Sequence, residues 1–214
     1  MVRYGLMVKI SVLIGVLFLS VSSAYAETAE ECFNRGNAYL KQNNLTQAIS
    51  YYTKSLEIDS SRSETYNNRG LAYYNQGDWS KAISDYTKAI ELTPNDAEVY
   101  CGRGDAYYKQ GEFPQAISDY TKAIEISPND AQVYINRGEA YRVQEDWPKV
   151  ISDYTESLKI NPKNADAYEA RAFAYYSIKE YDKAWADVHI AEELGHNIKS
   201  PFLVLLKGAT GRDK

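Results

Sequence analysis

Arg35, Arg69, Arg103, Arg137 and Arg171 step along the chain by 34 residues, and Asp85, Asp119, Asp153 and Asp187 follow four of them at a constant 16. A guanidinium and a carboxylate at fixed spacing in one unit predict ion pairs, Arg69–Asp85, Arg103–Asp119, Arg137–Asp153 and Arg171–Asp187. Tyr51 takes the aspartate's place in the first period. Repetition in four periods assigns these pairs to structure rather than catalysis. Other reactive side chains are sparse. His189 and His196 both fall in the least regular period, and the only cysteines are Cys32 and Cys101. No metal-ligand cluster, glycine-rich phosphate loop or nucleophile motif is present, so neither an enzyme nor a cofactor is expected.

The elements that must hold these pairs are legible in Ser63–Asp96, SETYNNRGLAYYNQGDWSKAISDYTKAIELTPND. It contains two apolar-periodic stretches of about fourteen residues, long enough for helices and too long for strands. Gly77 ends the first and Asp78 caps the second. Gly70 and Ala82 are small where two helix axes would meet, with Tyr66, Tyr73 and Tyr86 filling the space around them. Pro94 stops the second helix, and Asp96 caps the next. Ala97–Asp130 repeats the pattern with Tyr100, Gly104, Tyr107, Ala116, Tyr120, Ala123 and Pro128. Ala29–Arg62, Ala131–Asn164 and Ala165–Ile198 repeat it less strictly. Thr28 and Glu31 open the first as a capping box. Val150 replaces the small alanine of the fourth, predicting a slightly splayed pair. In the fifth, Ala172 replaces glycine, Val188 the aromatic and His196 the proline. At about 10 Å per helix layer, Cys32 and Cys101 are too far apart for a disulfide, and both are expected to be buried thiols.

Twenty tyrosines among 214 residues are mostly at fixed positions of the period, where they are expected to fill the core between helices. Residues 1–26 read as a secretory signal peptide. Arg3 and Lys9 form a positive start, Ile10 to Leu19 an apolar run, and Ala24-Tyr25-Ala26 a cleavage site before Glu27. Export to the periplasm or beyond is expected, with no stable membrane anchor after cleavage. The remaining residues hold 22 basic against 29 acidic side chains, a net charge of −7, which argues against nucleic acid as a partner.

A 34-residue period of small, aromatic and proline positions resembles the tetratricopeptide repeat. The resemblance covers five periods, 29–62, 63–96, 97–130, 131–164 and 165–198, nearly all of 27–214. It implies an all-α, right-handed superhelical solenoid of antiparallel helix pairs. First helices would line a concave groove that binds peptide segments. The family's groove positions place Asn34, Asn68 and Asn136 there, with Gly102 and Ala170 in the same register. An amide donates and accepts, so it can pair with a peptide backbone of any sequence. Tyr74, Tyr108 and Tyr176 form a possible stacking ladder, or they pack against neighbouring helices. Glu64 and Glu98, with Glu30, Asp166, Asp105, Glu139 and Glu169, make the groove acidic and favour a basic or neutral segment. The fifth positions, Phe33, Asn67, Cys101, Ile135 and Glu169, lack the lysine with which one subclass clamps a terminal carboxylate.

Ser200 and Pro201 start a last helix with Phe202, Leu203, Leu205 and Leu206, which caps the array within 199–214 and whose outer side could meet another copy of the chain. The expected function is an exported, non-catalytic adaptor that binds another protein or peptide. The alternatives are a carbohydrate or cell-wall binding module using the groove tyrosines, and an accessory subunit of an envelope enzyme or assembly.

Overall fold

The computed structural model describes residues 27–198 and 201–212. The signal-peptide reading and the Ser200 cap lie outside the described residues. Eleven helices, and no strand, are found among them: α1 (Ala29–Lys41), α2 (Leu45–Ile58), α3 (Ser63–Gln76), α4 (Trp79–Leu92), α5 (Ala97–Gln110), α6 (Phe113–Ile126), α7 (Ala131–Val143), α8 (Trp147–Ile160), α9 (Ala165–Ser177), α10 (Tyr181–Glu193) and α11 (Pro201–Thr210). None is long and apolar enough to cross a membrane.

Caps set the boundaries. Thr28 and Glu31 form a reciprocal capping box at α1. Asn44, Asp78, Asp96, Asp130, Asp146 and Asn164 each accept from a backbone N–H in the first turn of the helix that follows. Gly77 and Gly111 close α3 and α5 in the left-handed conformation. The same position holds Asn43, Glu145 and Lys179 after α1, α7 and α9, also with positive φ.

The first four pairs each set a glycine against a tyrosine ring. A Cβ on Gly36, Gly70 or Gly104 would lie 2.5, 3.1 or 2.7 Å from the ring of Tyr52, Tyr86 or Tyr120. The fourth pair is looser, with 3.4 Å from Gly138 to Tyr154, in keeping with Val150 at the contact. In the fifth pair Ala172 and Val188 are both fully buried, so the larger small residue meets the smaller large one. Tyr52, Tyr86, Tyr120 and Tyr154 are the tyrosines of the buried core. Tyr66 and Tyr73 are half-buried, pack against the core around Ala82 and Tyr86, and also lie against the Arg69 guanidinium at 5.7 and 6.0 Å.

The four arginine–aspartate pairs form as expected. Arg103 donates through Nε and Nη2 to Asp119 at 2.8 Å each, and Arg69, Arg137 and Arg171 repeat the geometry. Each Nη1 also donates to a threonine of the preceding pair: Thr53, Thr87, Thr121 or Thr155. One guanidinium thus ties its own helix to two others. With both partners largely buried, removing one would strand a charge at a cost of about 3–5 kcal/mol. Arg35, which lacks an aspartate, pairs instead with Glu27.

Consecutive helices pack along the whole array, giving an α-α solenoid. Successive first helices also touch, α1 with α3, α3 with α5 and α5 with α7, and contacts of comparable extent between successive second helices do not occur among the described residues. First helices therefore form the tighter, inner layer. At the end, Phe202 and Leu206 of α11 join Ala172, Trp185, Val188 and Ala191 in one apolar core, while Val204 and Leu205 stay 72% and 52% exposed.

Candidate functional site

The first helices present side chains to the inner face, and two of the junctions between neighbouring repeats are tied by a polar ladder. Tyr52 Oη donates to Asn37 Oδ1 at 2.7 Å, and Asn68 Nδ2 donates to the same oxygen at 2.9 Å. Two repeats on, Tyr120 Oη and Asn136 Nδ2 donate to Asp105 Oδ1 at 2.7 and 3.0 Å. Tyr154 Oη donates to Glu139, where no asparagine follows because Ala170 stands in its place. Two of the three asparagines expected at the groove, Asn68 and Asn136, thus spend an amide N–H on the adjoining repeat. Asn136 Oδ1 further accepts from Gln132. Asn34 is exposed and donates to Glu30.

The tyrosine row divides. Tyr74 and Tyr108 line one cavity of 280 Å³ with Asp105, Lys109, Tyr120, Asn136 and Glu139. Tyr176 is packed in an aromatic group with Phe173, Tyr181 and Phe202, beneath the C-terminal helix. Glu64 and Glu98 are exposed and share a separate cavity of 410 Å³ with Ser63, Asn67, Asn68, Thr93 and Asp96. Of the acids placed in the groove, several are already engaged. Glu30 pairs with Arg62, Glu139 with Arg142, and His196 lies 2.6 Å from Glu169 and 3.4 Å from Asp166. His196 therefore holds the end of the array in place of the usual proline, a role that its irregular position did not reveal.

Asp105 is the carboxylate that stands out. Burial pushes its pKa above the usual range, and the hydrogen bonds from Tyr120 and Asn136 and the charge of Lys109 offset part of that. Cys101, one turn earlier, is half-buried rather than buried as expected, because its helix faces the groove. Burial, with Asp105 and Asp130 nearby, pushes its thiol up to about 12, so it is an unreactive thiol at neutral pH. Cys32 is buried, and both cysteines are free. No cluster able to hold a metal ion occurs among the described residues.

A search of curated proteins finds no match. Among solved structures, a crystal structure of MamA shares 27% identity over 75% of this chain and 94% of its own, with a TM-score of 0.73. The crystal structure of YrrB, described as a TPR protein with an unusual peptide-binding site, shares 21% over 91% of this chain and 98% of its own, with a TM-score of 0.72, a likeness of fold alone. The first TPR of Spaghetti (RPAP3), bound to the HSP90 peptide SRMEEVD, shares 27% over 54% of this chain and 92% of its own, with a TM-score of 0.53. A family model described as TPR repeat matches residues 36–77, 72–111 and 104–144, and models described as Tetratricopeptide repeat match 131–164 and 153–186. With more than half of its length matched and its helices paired and stacked in sequence, the chain belongs to the tetratricopeptide repeat family.

Proposed function

We propose that this protein is an exported, non-catalytic scaffold that holds a segment of a partner protein in its inner groove, with basic or neutral segments favoured. The observation that carries this reading is the line of first-helix side chains that opens into cavities at Glu64 and Glu98 and again at Tyr74, Asp105 and Tyr108. A preformed groove binds an extended chain with little ordering cost to itself. The RPAP3 structure supports a peptide ligand for this fold. The charge here differs from what an acidic peptide such as SRMEEVD requires, since Phe33, Asn67, Cys101, Ile135 and Glu169 supply no cation at the fifth positions. Export rests on residues 1–26, and amino-terminal sequencing of the mature protein should begin at Glu27.

The test is affinity capture from a native envelope extract, with Glu64→Lys/Glu98→Lys as the paired variant. Both glutamates are exposed, so charge reversal spares the core. Partners caught by the wild type and lost by the variant support the reading, and identical capture overturns it. Exposed Val204 and Leu205 offer a surface for self-association, and a monomer mass that stays constant with concentration would remove that part.

A further inference from the structure

The polar ladder between repeats is overcharged at one junction and broken at the one before it. Where the first repeat meets the second, a neutral amide oxygen, Asn37 Oδ1, accepts from both Tyr52 and Asn68. Where the third meets the fourth, Asp105 Oδ1 does the same work at matching distances. At the first junction one neutral oxygen does this work without a charge. Asp105 brings a second oxygen, Oδ2, with neither a hydrogen bond nor an ion pair among the described residues. Glu139, beside it in the cavity, differs in having its charge met by Arg142 at 2.7 Å.

The break lies between the second and third repeats. Leu71 stands at the acceptor position and Gly102 at the asparagine position. Tyr86 is 2% exposed, and its hydroxyl, unlike those of Tyr52, Tyr120 and Tyr154, has no hydrogen-bond partner among the described residues. Its tip reaches the inner face of α5, since a Cβ on Gly102 would be 2.9 Å from Cζ and 3.1 Å from Oη. Gly102 and Asp105 are three residues apart on α5 and share a face. The Tyr86 hydroxyl and a carboxylate oxygen of Asp105 are thus both without a hydrogen-bond partner among the described residues, and the rings of Tyr74 and Tyr108 line the cavity into which Asp105 opens.

We propose that this cavity seats a lysine or arginine side chain of the segment held in the groove, its cation on Asp105 Oδ2 and its stem between Tyr74 and Tyr108. The proposal rests on the groove reading and names its anchor. A half-desolvated carboxylate with no ion-pair partner in contact gains from a cation that reaches it, and tyrosine faces add cation–π attraction. Ammonium and guanidinium groups carry three and five N–H donors, enough to serve Asp105 Oδ2 with donors to spare. Lys109, exposed at the rim, sets the competing charge that the ligand's cation must displace.

The test uses Nα-acetyl-lysine amide and Nα-acetyl-arginine amide as probes, with Nα-acetyl-norleucine amide as the uncharged control, followed by nuclear magnetic resonance on labelled protein. The cationic probes should give saturable shifts at the Gly102 backbone and Asn136 side-chain amides. Asp105→Asn should weaken both at least tenfold without loss of fold, because it reproduces the Asn37 arrangement of the first junction. Equal shifts from norleucine, or shifts unchanged by Asp105→Asn, would overturn the anchor. So would the absence of any saturable shift in the wild type. These results do not depend on the capture experiment, so the anchor can fail while the groove stands, and the reverse.

Discussion

Thr65 occupies the site filled by Val99 and Val133 in the next two repeats, and its hydroxyl is fully buried without a partner among the described residues. An orphaned hydroxyl costs what it lost in leaving water, and a valine of the same shape does not. Thr65→Val is expected to raise stability by about 1 kcal/mol in urea unfolding. No change would show that the hydroxyl is satisfied in solution. Asp105 makes a second case. Burial raises its folded pKa above the unfolded value of about 3.9, so the folded state binds more protons between the two. The charged form therefore lowers stability above the folded pKa, and that loss is recovered as pH falls through it toward about 4. Asp105→Asn should be more stable than wild type at pH 7, and the difference should vanish near pH 4. A difference independent of pH would assign the effect to packing. The arginine–aspartate pairs were legible in the sequence because they recur in four repeats. Their threonine partners recur too, but a hydroxyl at an exposed-looking helix position gives no signal of where it points. The Asp105 site was legible only as acidity, since what marks it is the failure of the repeat at Leu71 and Gly102.

At the scale of the helix, the turn after each first helix demands a residue in left-handed conformation, whatever the sequence supplies. Gly77 and Gly111 meet that demand without strain, at φ of 86° and 81°. Glu145 and Lys179 adopt φ of 56° and 64° at the same position, where a Cβ crowds the following carbonyl at a cost of roughly 1–2 kcal/mol. Glu145→Gly and Lys179→Gly should each stabilise the chain by about 1 kcal/mol, less whatever the added backbone freedom of the unfolded chain takes back. Thermal melts of the single and double variants check this, with the two gains adding because the loops are distant. A loss in either variant would mean that the side chain itself holds the loop. The turns after α3 and α5 were readable from Gly77 and Gly111. Those after α7 and α9 were readable only through the period, because their own residues argue for continued helix.

At the scale of the molecule, the array is a line of nearest neighbours, and its stability should respond locally to a change at one end. Among the described residues no sixth repeat covers the fifth. Phe202 and Leu206 of α11 take that place against Ala172, Trp185 and Val188, and two links run back from the end of the chain: Trp185 Nε1 to Thr210 at 3.1 Å and Arg212 to Asp182 at 2.8 Å. Burying two such side chains is worth about 1.5–3 kcal/mol each. Deleting residues 199–214 should therefore loosen α9 and α10 by enough to speed their amide hydrogen exchange more than tenfold. The amides of α3 to α6, separated from the cut by a whole repeat, should exchange at their original rates. Uniform acceleration along the chain would instead describe a single cooperative globule. Unchanged exchange in α9 and α10 would show that the fifth repeat stands without its cover, freeing the apolar face of α11 for another partner. The local outcome also bears on the groove. The cavity at Tyr74, Asp105 and Tyr108 lies in the interior repeats, so it should keep its shape, and its ligand, when the end of the array is cut away.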